Sequence, residues 1–586
     1  MLQAFKTRAE DGAYLASMRM ARITLFTVVL LGITAFGQSQ DGKNDPVGLW
    51  GTESRFGPLV RGELTLERTK SSWTIRVAGL EFSVPRSGDD VRATFPGGQG
   101  ELRAKIEDGG QRIRGFWIQP RGNLGQFASP IVLARVRDGA WRGTVTPLDD
   151  QFSLYLRITR QEDGSLRGSF LNPEVNWYGR APWFRVTEKD ERLLFTDPST
   201  GKTPFSQPYD RGQRRIDMDF GAPIALTPHT PENAVGYLPR TPAMTYVYRT
   251  PLPGHDGWRV ARAGEVDVDE ERLRAFVGKI LSFDPALHDS PRIHSLLVAR
   301  RGKLILDEYF FGFTADRPHD LRSASKTFTS VLAGIVMDRN RSLRLDTPID
   351  QTRGITLAHL LTHSSGLACD DNDPASPGNE DTMQEQQEQR DWYRYFLDLP
   401  VTAKPGTKYA YCSAGINFAA GMTAKAASME LSELFDRFLA RPLQMQHYHL
   451  NLMPNGEAYG AGGIYMRPRD FLKVGQAYLD GGVWNGRRIV SKSWVSQSTA
   501  HQIDVPGNGS DGYGWHRHTL TAVGRTFESY EASGNGGQFL IVVPKLELVV
   551  VLTAGNYGQF PVWRTFRDEL VPEYVLAACM DADQGR

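Results

Sequence analysis

Leu321-Arg-Ser-Ala-Ser-Lys-Thr-Phe-Thr-Ser-Val-Leu-Ala-Gly-Ile-Val-Met337 is the stretch on which the reading of this chain turns. It holds S-x-x-K at Ser323 and Lys326. The apolar residues that follow, Phe328, Val331, Leu332, Ile335 and Val336, are spaced as one stripe of a helix. Residues three apart share a helix face, which puts the lysine amine within reach of the serine hydroxyl. A buried lysine with a lowered pKa is one way to activate a serine that is otherwise weak at neutral pH. The start of a helix also favours negative charge developing near Ser323. The four-residue motif alone is unspecific. Ser199-Thr-Gly-Lys202 fits it too, but lies between Pro198 and Pro204 with no apolar helix behind it, and reads as a turn.

The chain around this stretch has 586 residues, 40% of them hydrophobic and 23% charged, enough for more than one folded domain. With 68 Lys+Arg against 67 Asp+Glu, the net charge of +1 gives no field that favours nucleic acid or an acidic surface. The three cysteines, Cys369, Cys412 and Cys579, form neither a disulfide-dense framework nor a CxxC zinc or redox pattern. Residues 18–37 have the layout of a cleavable leader: Arg19 and Arg22, an apolar run from Ile23 to Ala35, then Ala35 and Gly37 before Gln38. The run is short for a membrane span. The expectation is an exported protein, periplasmic or secreted, with a signal peptide over 1–37 and no integral membrane domain once it is removed.

From 45 to 224 short alternating runs such as Glu63-Leu-Thr-Leu-Glu67 and Leu154-Tyr-Leu-Arg-Ile158, parted by Gly and Asp turns, predict an antiparallel all-β module. The likeness of Gly48-Leu-Trp-Gly-Thr52 to Gly139-Ala-Trp-Arg-Gly-Thr144 suggests two similar halves. Residues 225–264 are crowded with proline and read as a linker or an extended wrap over a neighbour. Beyond them Leu273, Phe276, Val277 and Ile280 mark a helix face, and His294 to Phe310 reads as a hairpin turning at Arg301-Gly302. Helix and strand signals then mix to the end, so residues 265–580 are expected to form an α/β (α+β) domain with an antiparallel sheet flanked by helices.

Four further stretches follow Ser323 in order: Ile355 to Leu367 (ITLAHLLTHSSGL), Pro405 to Ser413 (PGTKYAYCS), Gly460 to Asp470 (GAGGIYMRPRD), and Ala532-Ser-Gly-Asn-Gly-Gly-Gln538 with the apolar run after it. With these the region 265–580 resembles the β-lactamase-related serine hydrolases: penicillin-binding proteins, class C-like β-lactamases, D,D-peptidases, and esterases and amide hydrolases of the same fold. The resemblance implies that Ser323 is the nucleophile and that Lys326 and Tyr411 share the proton transfers. It implies an oxyanion hole from the backbone N–H groups of Ser323 and Asn535, with Ser413, Ser533 and Gly534 lining the substrate site. It implies an acyl-enzyme hydrolysed by water, with no metal or organic cofactor.

The sequence departs from the family in two places. Ala532 stands where penicillin-recognising relatives carry Lys and many others His, and Ser413 makes Y-x-S of what is often Y-x-N. Both changes weaken recognition of a carboxylate or amide, and lean the expected chemistry toward an ester or a small amide, with β-lactamase activity weak or absent. Peptidoglycan-derived substrates remain among the candidates, and no nucleic-acid partner is expected. The alternative is a penicillin-binding or D,D-peptidase-like protein, or a sensor, acylated with little turnover.

Other conspicuous residues have plainer readings. His359 and His363 sit four apart, but Leu360 fills the place where a zinc protease helix needs Glu, so both read as structural. His516 and His518 are expected near the surface, and Asp370-Asp-Asn-Asp-Pro374 as a solvated acidic loop rather than a calcium site. Of Tyr513, Trp515, Trp392 and Tyr393, one or two would line a pocket and the rest would be core. Cys369 and Cys412 fit a disulfide and two buried thiols equally well.

Overall fold

The computed structural model describes residues 45–122, 125–174, 183–219, 223–240, 245–385 and 390–584, so the leader over 1–37 lies outside the described residues. No described helix is long and apolar enough to cross a membrane. The chain divides into two compact units. One comprises the described residues up to Thr52 with Tyr155–Ser169 and residues 183–229. The other comprises Glu53–Leu154, the described part of 170–182, and the chain from Thr230.

The N-terminal region is all β, as its period-two pattern predicts. Strand Gly48–Phe56 and the seven strands from Asp150–Arg160 to Pro223–His229 close into an eight-stranded barrel. Closure is antiparallel, with Leu49 opposite His229 and Gly51 opposite Thr227. Trp50, Tyr155, Phe195 and Tyr209 are among its buried residues, Trp50 meeting Tyr209 edge to face at 5.7 Å. Between the first and second barrel strands lies a second up-and-down set of eight, from Gly62–Arg68 to Ala140–Val145. Its first and last strands pair, and its fourth and fifth meet only at the Ser87–Asp90 bridge. Trp73 and Trp141, 5.6 Å apart, lie in its core. The two β sets are therefore nested along the chain rather than in tandem, and the two Trp-containing stretches fall in the first strand of one and the last strand of the other.

The inserted set belongs to the same unit as the C-terminal region and shares a sheet with it. Its strand Phe127–Arg137 pairs with Tyr448–Asn451, which pairs with Ile464–Met466, which pairs with His319–Asp320. That last strand lies immediately before the serine stretch.

The C-terminal region is built on a nine-stranded sheet centred on Leu548–Ala554 and Gln538–Val543, every residue of which is buried. Successive side chains in these runs enter opposite layers. Leu540, Val542, Val549 and Val551 join a core with helices Lys326–Arg339, Ser413–Ala427 and Pro468–Leu479. Phe539, Ile541, Val550 and Leu552 join a core with helix Glu270–Leu281 and the C-terminal helices. The expected hairpin is formed by Ile293–Arg300 and Lys303–Tyr309, with Arg301 and Gly302 both at positive φ (49° and 71°), as a tight two-residue turn requires. The proline-rich segment is not a plain linker: its first residues, to His229, complete the last barrel strand, and 231–240 is turns and bends. Later parts pack on this unit, where Pro239 accepts from the Phe311 N–H at 2.9 Å and the Tyr248 hydroxyl donates to the Ile305 carbonyl at 2.7 Å.

Candidate active site

Ser323 sits in the single 3₁₀ turn Arg322–Ser325 that feeds helix Lys326–Arg339. The turn is set by Arg322, which holds a left-handed φ of 49°, unusual for a residue with a side chain. Asp320 fixes it twice, accepting the Arg322 N–H at 2.8 Å and pairing with its guanidinium at 2.9 Å. The helix is buried from Lys326 to Val336, which explains its long apolar stripe. Ser323 itself is half-buried, and the Lys326 ammonium donates to its Oγ at 3.0 Å.

Tyr411 comes from the segment before helix Ser413–Ala427. The Lys326 Nζ lies 4.9 Å from its ring centroid, and Lys326 and Ser323 both act on its phenol to ease loss of its proton. The segment is held by the loop after helix Leu357–Leu361. His363 stacks near the Tyr411 ring at 4.5 Å and its Nδ1 accepts the Cys412 N–H at 3.1 Å, while its carbonyl accepts the Ala410 N–H at 2.8 Å. Burial pushes His363 down to about 3, so it is neutral and able to accept. A structural role for this histidine agrees with the sequence reading. Among the described residues no group of three His, Cys, Asp or Glu is placed to hold a metal.

The third element lies on strand Arg525–Gly534. Gly534 sits so close to the serine turn that a Cβ there would lie 2.4 Å from the Leu321 carbonyl oxygen. Asn535 is tied down by its Oδ1, which accepts the Gly558 N–H at 2.8 Å, and by its carbonyl, which accepts from Gln538. Ser533 is half-buried and Ala532 fully buried. On the neighbouring strand His516 lies opposite Glu531. It is not at the surface: its Nδ1 hydrogen-bonds at 2.8 Å with the buried Asp511. His518 is likewise drawn inward by Glu531 and Arg567, because two buried charges need partners.

Two sequence expectations are corrected here. The pKa of Lys326 is not lowered. Burial works to lower it, but Tyr411, Glu380 and Asp371 outweigh burial and raise it, so the resting amine is an ammonium. Tyr411 is also raised, because burial outweighs the lowering by Lys326 and Ser323, so the resting phenol is neutral. Ser413 is fully buried, and its hydroxyl donates to Asp371 at 2.6 Å instead of facing a substrate.

Asp371, which the sequence reading passed over as part of a solvated acidic loop, and Glu380 beyond it both act on Lys326. Asp371 is turned inward. The Cys369–Cys412 disulfide, with Cα atoms 5.3 Å apart, ties its loop to the Tyr411 segment. That pairing was the available signal, since Cys369 lies two residues before Asp371 and Cys412 lies between Tyr411 and Ser413. The aromatic candidates are mostly packed away. Trp515 meets Tyr530 edge to face, Trp392 meets Tyr459, Tyr393 meets Phe418, and half-buried Tyr513 stacks on Trp494. Ser199 is in a turn, its N–H and hydroxyl both donating to Asp197.

Residues 294–569 match the Beta-lactamase family model. Among curated proteins the chain is 24% identical over 284 residues to the 6-aminohexanoate-dimer hydrolase of Paenarthrobacter ureafaciens, a match covering 42% of this chain and 70% of that protein. It is 23% identical over 251 residues to the D-alanyl-D-alanine-carboxypeptidase/endopeptidase AmpH of Escherichia coli (strain K12), covering 37% of this chain and 63% of the relative. A solved structure of a putative 6-aminohexanoate-dimer hydrolase from Bacillus anthracis aligns with 58% of this chain and 92% of its own, at 17% identity and a TM-score of 0.45.

Proposed function

We propose that the chain is an exported serine hydrolase that acts on an ester or small amide through an acyl-enzyme on Ser323. The observation that carries this reading is the 3.0 Å hydrogen bond from Lys326 to Ser323 Oγ, with the Tyr411 ring centroid 4.9 Å from the same ammonium. As Oγ attacks the carbonyl carbon, its proton passes to the Lys326–Tyr411 pair. The oxyanion is held by the backbone N–H groups of Ser323 and Asn535. The bond to the leaving group then breaks, and the pair returns the proton to the departing oxygen or nitrogen. Water, deprotonated by the same pair, releases the acyl group and restores Ser323.

With both pair members raised above their ordinary values, the form lacking one proton is a minority at neutral pH, and acylation is expected to quicken as pH rises. Buried Ala532 offers no cation to a substrate carboxylate, which supports neutral esters and amides over penicillins. The named substrates of both curated relatives are joined by amide bonds, which supports the amide side of the proposal.

The test is intact mass and turnover of the purified protein beside Ser323→Ala, with a short-chain nitrophenyl ester, a chromogenic cephalosporin and a D-alanyl dipeptide. Continuing ester or amide turnover that Ser323→Ala abolishes is expected. One equivalent of cephalosporin-derived mass without release would favour the slowly turning-over sensor, and a fully active Ser323→Ala would overturn the assignment.

A further inference from the structure

Asp371 belongs to none of the family motifs, yet both its carboxylate oxygens are committed beside the serine. Its Oδ2 accepts from the backbone N–H of Ser413 at 2.9 Å and from its hydroxyl at 2.6 Å, and its Oδ1 accepts from the Glu380 N–H at 2.9 Å. Its own N–H donates to the Tyr411 carbonyl at 2.7 Å, and the disulfide two residues away binds the same two segments. The groups around it are Lys326 and Tyr411, Ser413, and Glu380, whose Oε1 accepts from the Tyr459 hydroxyl at 2.7 Å. Neutral His363 lies behind Tyr411, and the Arg322 guanidinium is matched by Asp320.

A serine at position 413 has too short a side chain to offer Lys326 an amide oxygen, and its hydroxyl is spent on Asp371. The polar group that Ser413 holds beside the Tyr411 segment is thus a carboxylate rather than an amide dipole, and in a buried site a charge acts over several ångströms without contact. We propose that Asp371 is the positioning residue of this site: clamped by Ser413 against the Tyr411 segment, it supplies a through-space countercharge to Lys326, and so sets the pH range in which the Lys326–Tyr411 pair takes the serine proton. This rests on the serine-hydrolase reading above.

The electrostatics run the same way. Burial and Glu380 push Asp371 up to about 6, against Lys326 and the Ser413 hydrogen bonds, which favour its charged form. Removing that charge leaves burial less opposed at Lys326, and the pair gives up its first proton at lower pH.

The experiment is the pH profile of kcat/KM for a short-chain nitrophenyl ester from pH 5 to 10, with wild type, Asp371→Asn, Asp371→Glu, Ser413→Ala and Ser323→Ala. Asp371→Asn is expected to move the rising limb down by about one pH unit or more. Ser413→Ala should move it the same way by less, since the backbone N–H still holds the carboxylate. Asp371→Glu, which keeps the charge, should return it toward wild type. An unmoved limb in Asp371→Asn, with changes only in KM or melting temperature, overturns the proposal while an inactive Ser323→Ala leaves the hydrolase reading standing. Should Asp371→Asn fail to fold, Ser413→Ala decides by the same criterion. Full activity in Ser323→Ala overturns both.

Discussion

Gly534 is pressed against the carbonyl of Leu321, so closely that a methyl group would sit 2.4 Å from that oxygen and 3.1 Å from the Ala324 N–H. Both neighbours are backbone atoms of the turn that presents Ser323, and neither can swing aside. Gly534→Ala is therefore expected to cost about 1 to 3 kcal/mol of stability by overpacking. Its larger effect should be on turnover, because the turn must shift to admit the methyl. Thermal melts and ester turnover measured together check this, and a variant with wild-type kcat would refute it.

Tyr411→Phe keeps the ring against His363 and removes only the phenol hydroxyl, the group on which Lys326 and Ser323 act. A loss of roughly a hundredfold to ten-thousandfold in kcat/KM is expected for a positioned proton carrier. Single-turnover acylation rates measure it. A loss below tenfold would leave Lys326 to work alone.

The Cys369–Cys412 disulfide closes a loop across a sequence separation of 43, for which chain entropy gives about 4 kcal/mol. Reduction, or Cys369→Ser with Cys412→Ser, should lower the melting temperature and weaken turnover together, because the same staple holds Asp371 against the Tyr411 segment. Lowered stability with unchanged turnover would separate the two roles.

Asp511 and His516 form a buried pair with a defined pH window. Burial works to lower His516, but Asp511 outweighs it and raises the histidine above 6.5, so its share of stability is present below that value and fades as pH rises through the raised one. Burial works to raise Asp511, but His516 brings it below 3.8, so its share is present above that value and is lost as pH falls through the lowered one. The destabilisation by Asp511→Asn should therefore be greater at pH 5 than at pH 9. Melting curves at the two values decide it, and an equal deficit would mean the pair is not ionised.

Lys473 and Asp470, both fully buried and 2.5 Å apart, pin helix Pro468–Leu479, where the Lys473 amine also donates to the Gln444 carbonyl. Lys473→Met leaves Asp470 with Arg467 as its remaining charged partner and should cost about 3 to 5 kcal/mol. Changing Asp470 to Asn and Lys473 to Met together should recover part of that cost. A double variant as unstable as the single one would contradict a charge effect.

The sequence made some of this site readable and hid the rest for physical reasons. The serine helix could be found because a fully buried helix writes an unbroken apolar series after Lys326, and the central strands could be found because burial on both faces turns them into runs such as Phe539 to Val543. Asp371 could not. An acidic stretch is ordinarily solvated, and what turns this one inward is a disulfide whose existence the cysteine count alone left open. The direction of the Lys326 shift was missed for a related reason, since it depends on Tyr411, Glu380 and Asp371 together, and that loop is what brings the two carboxylates near. Alternation revealed the N-terminal strands but not their partners, because pairing such as Leu49 with His229 is set across the whole module.

That long-range pairing has a consequence for how the chain comes together. Strand Gly48–Phe56 is made early, but its barrel partner Pro223–His229 emerges only after the entire inserted set has been synthesised. Until then its edge is an unpaired template for other chains. Closure must also wait on contacts of high sequence separation, the kind that slow folding most. The first strand's other edge is taken by Asp150–Arg160, so the nested order leaves one of its edges open until residue 229 has left the ribosome, and the nascent protein is most vulnerable to aggregation before then.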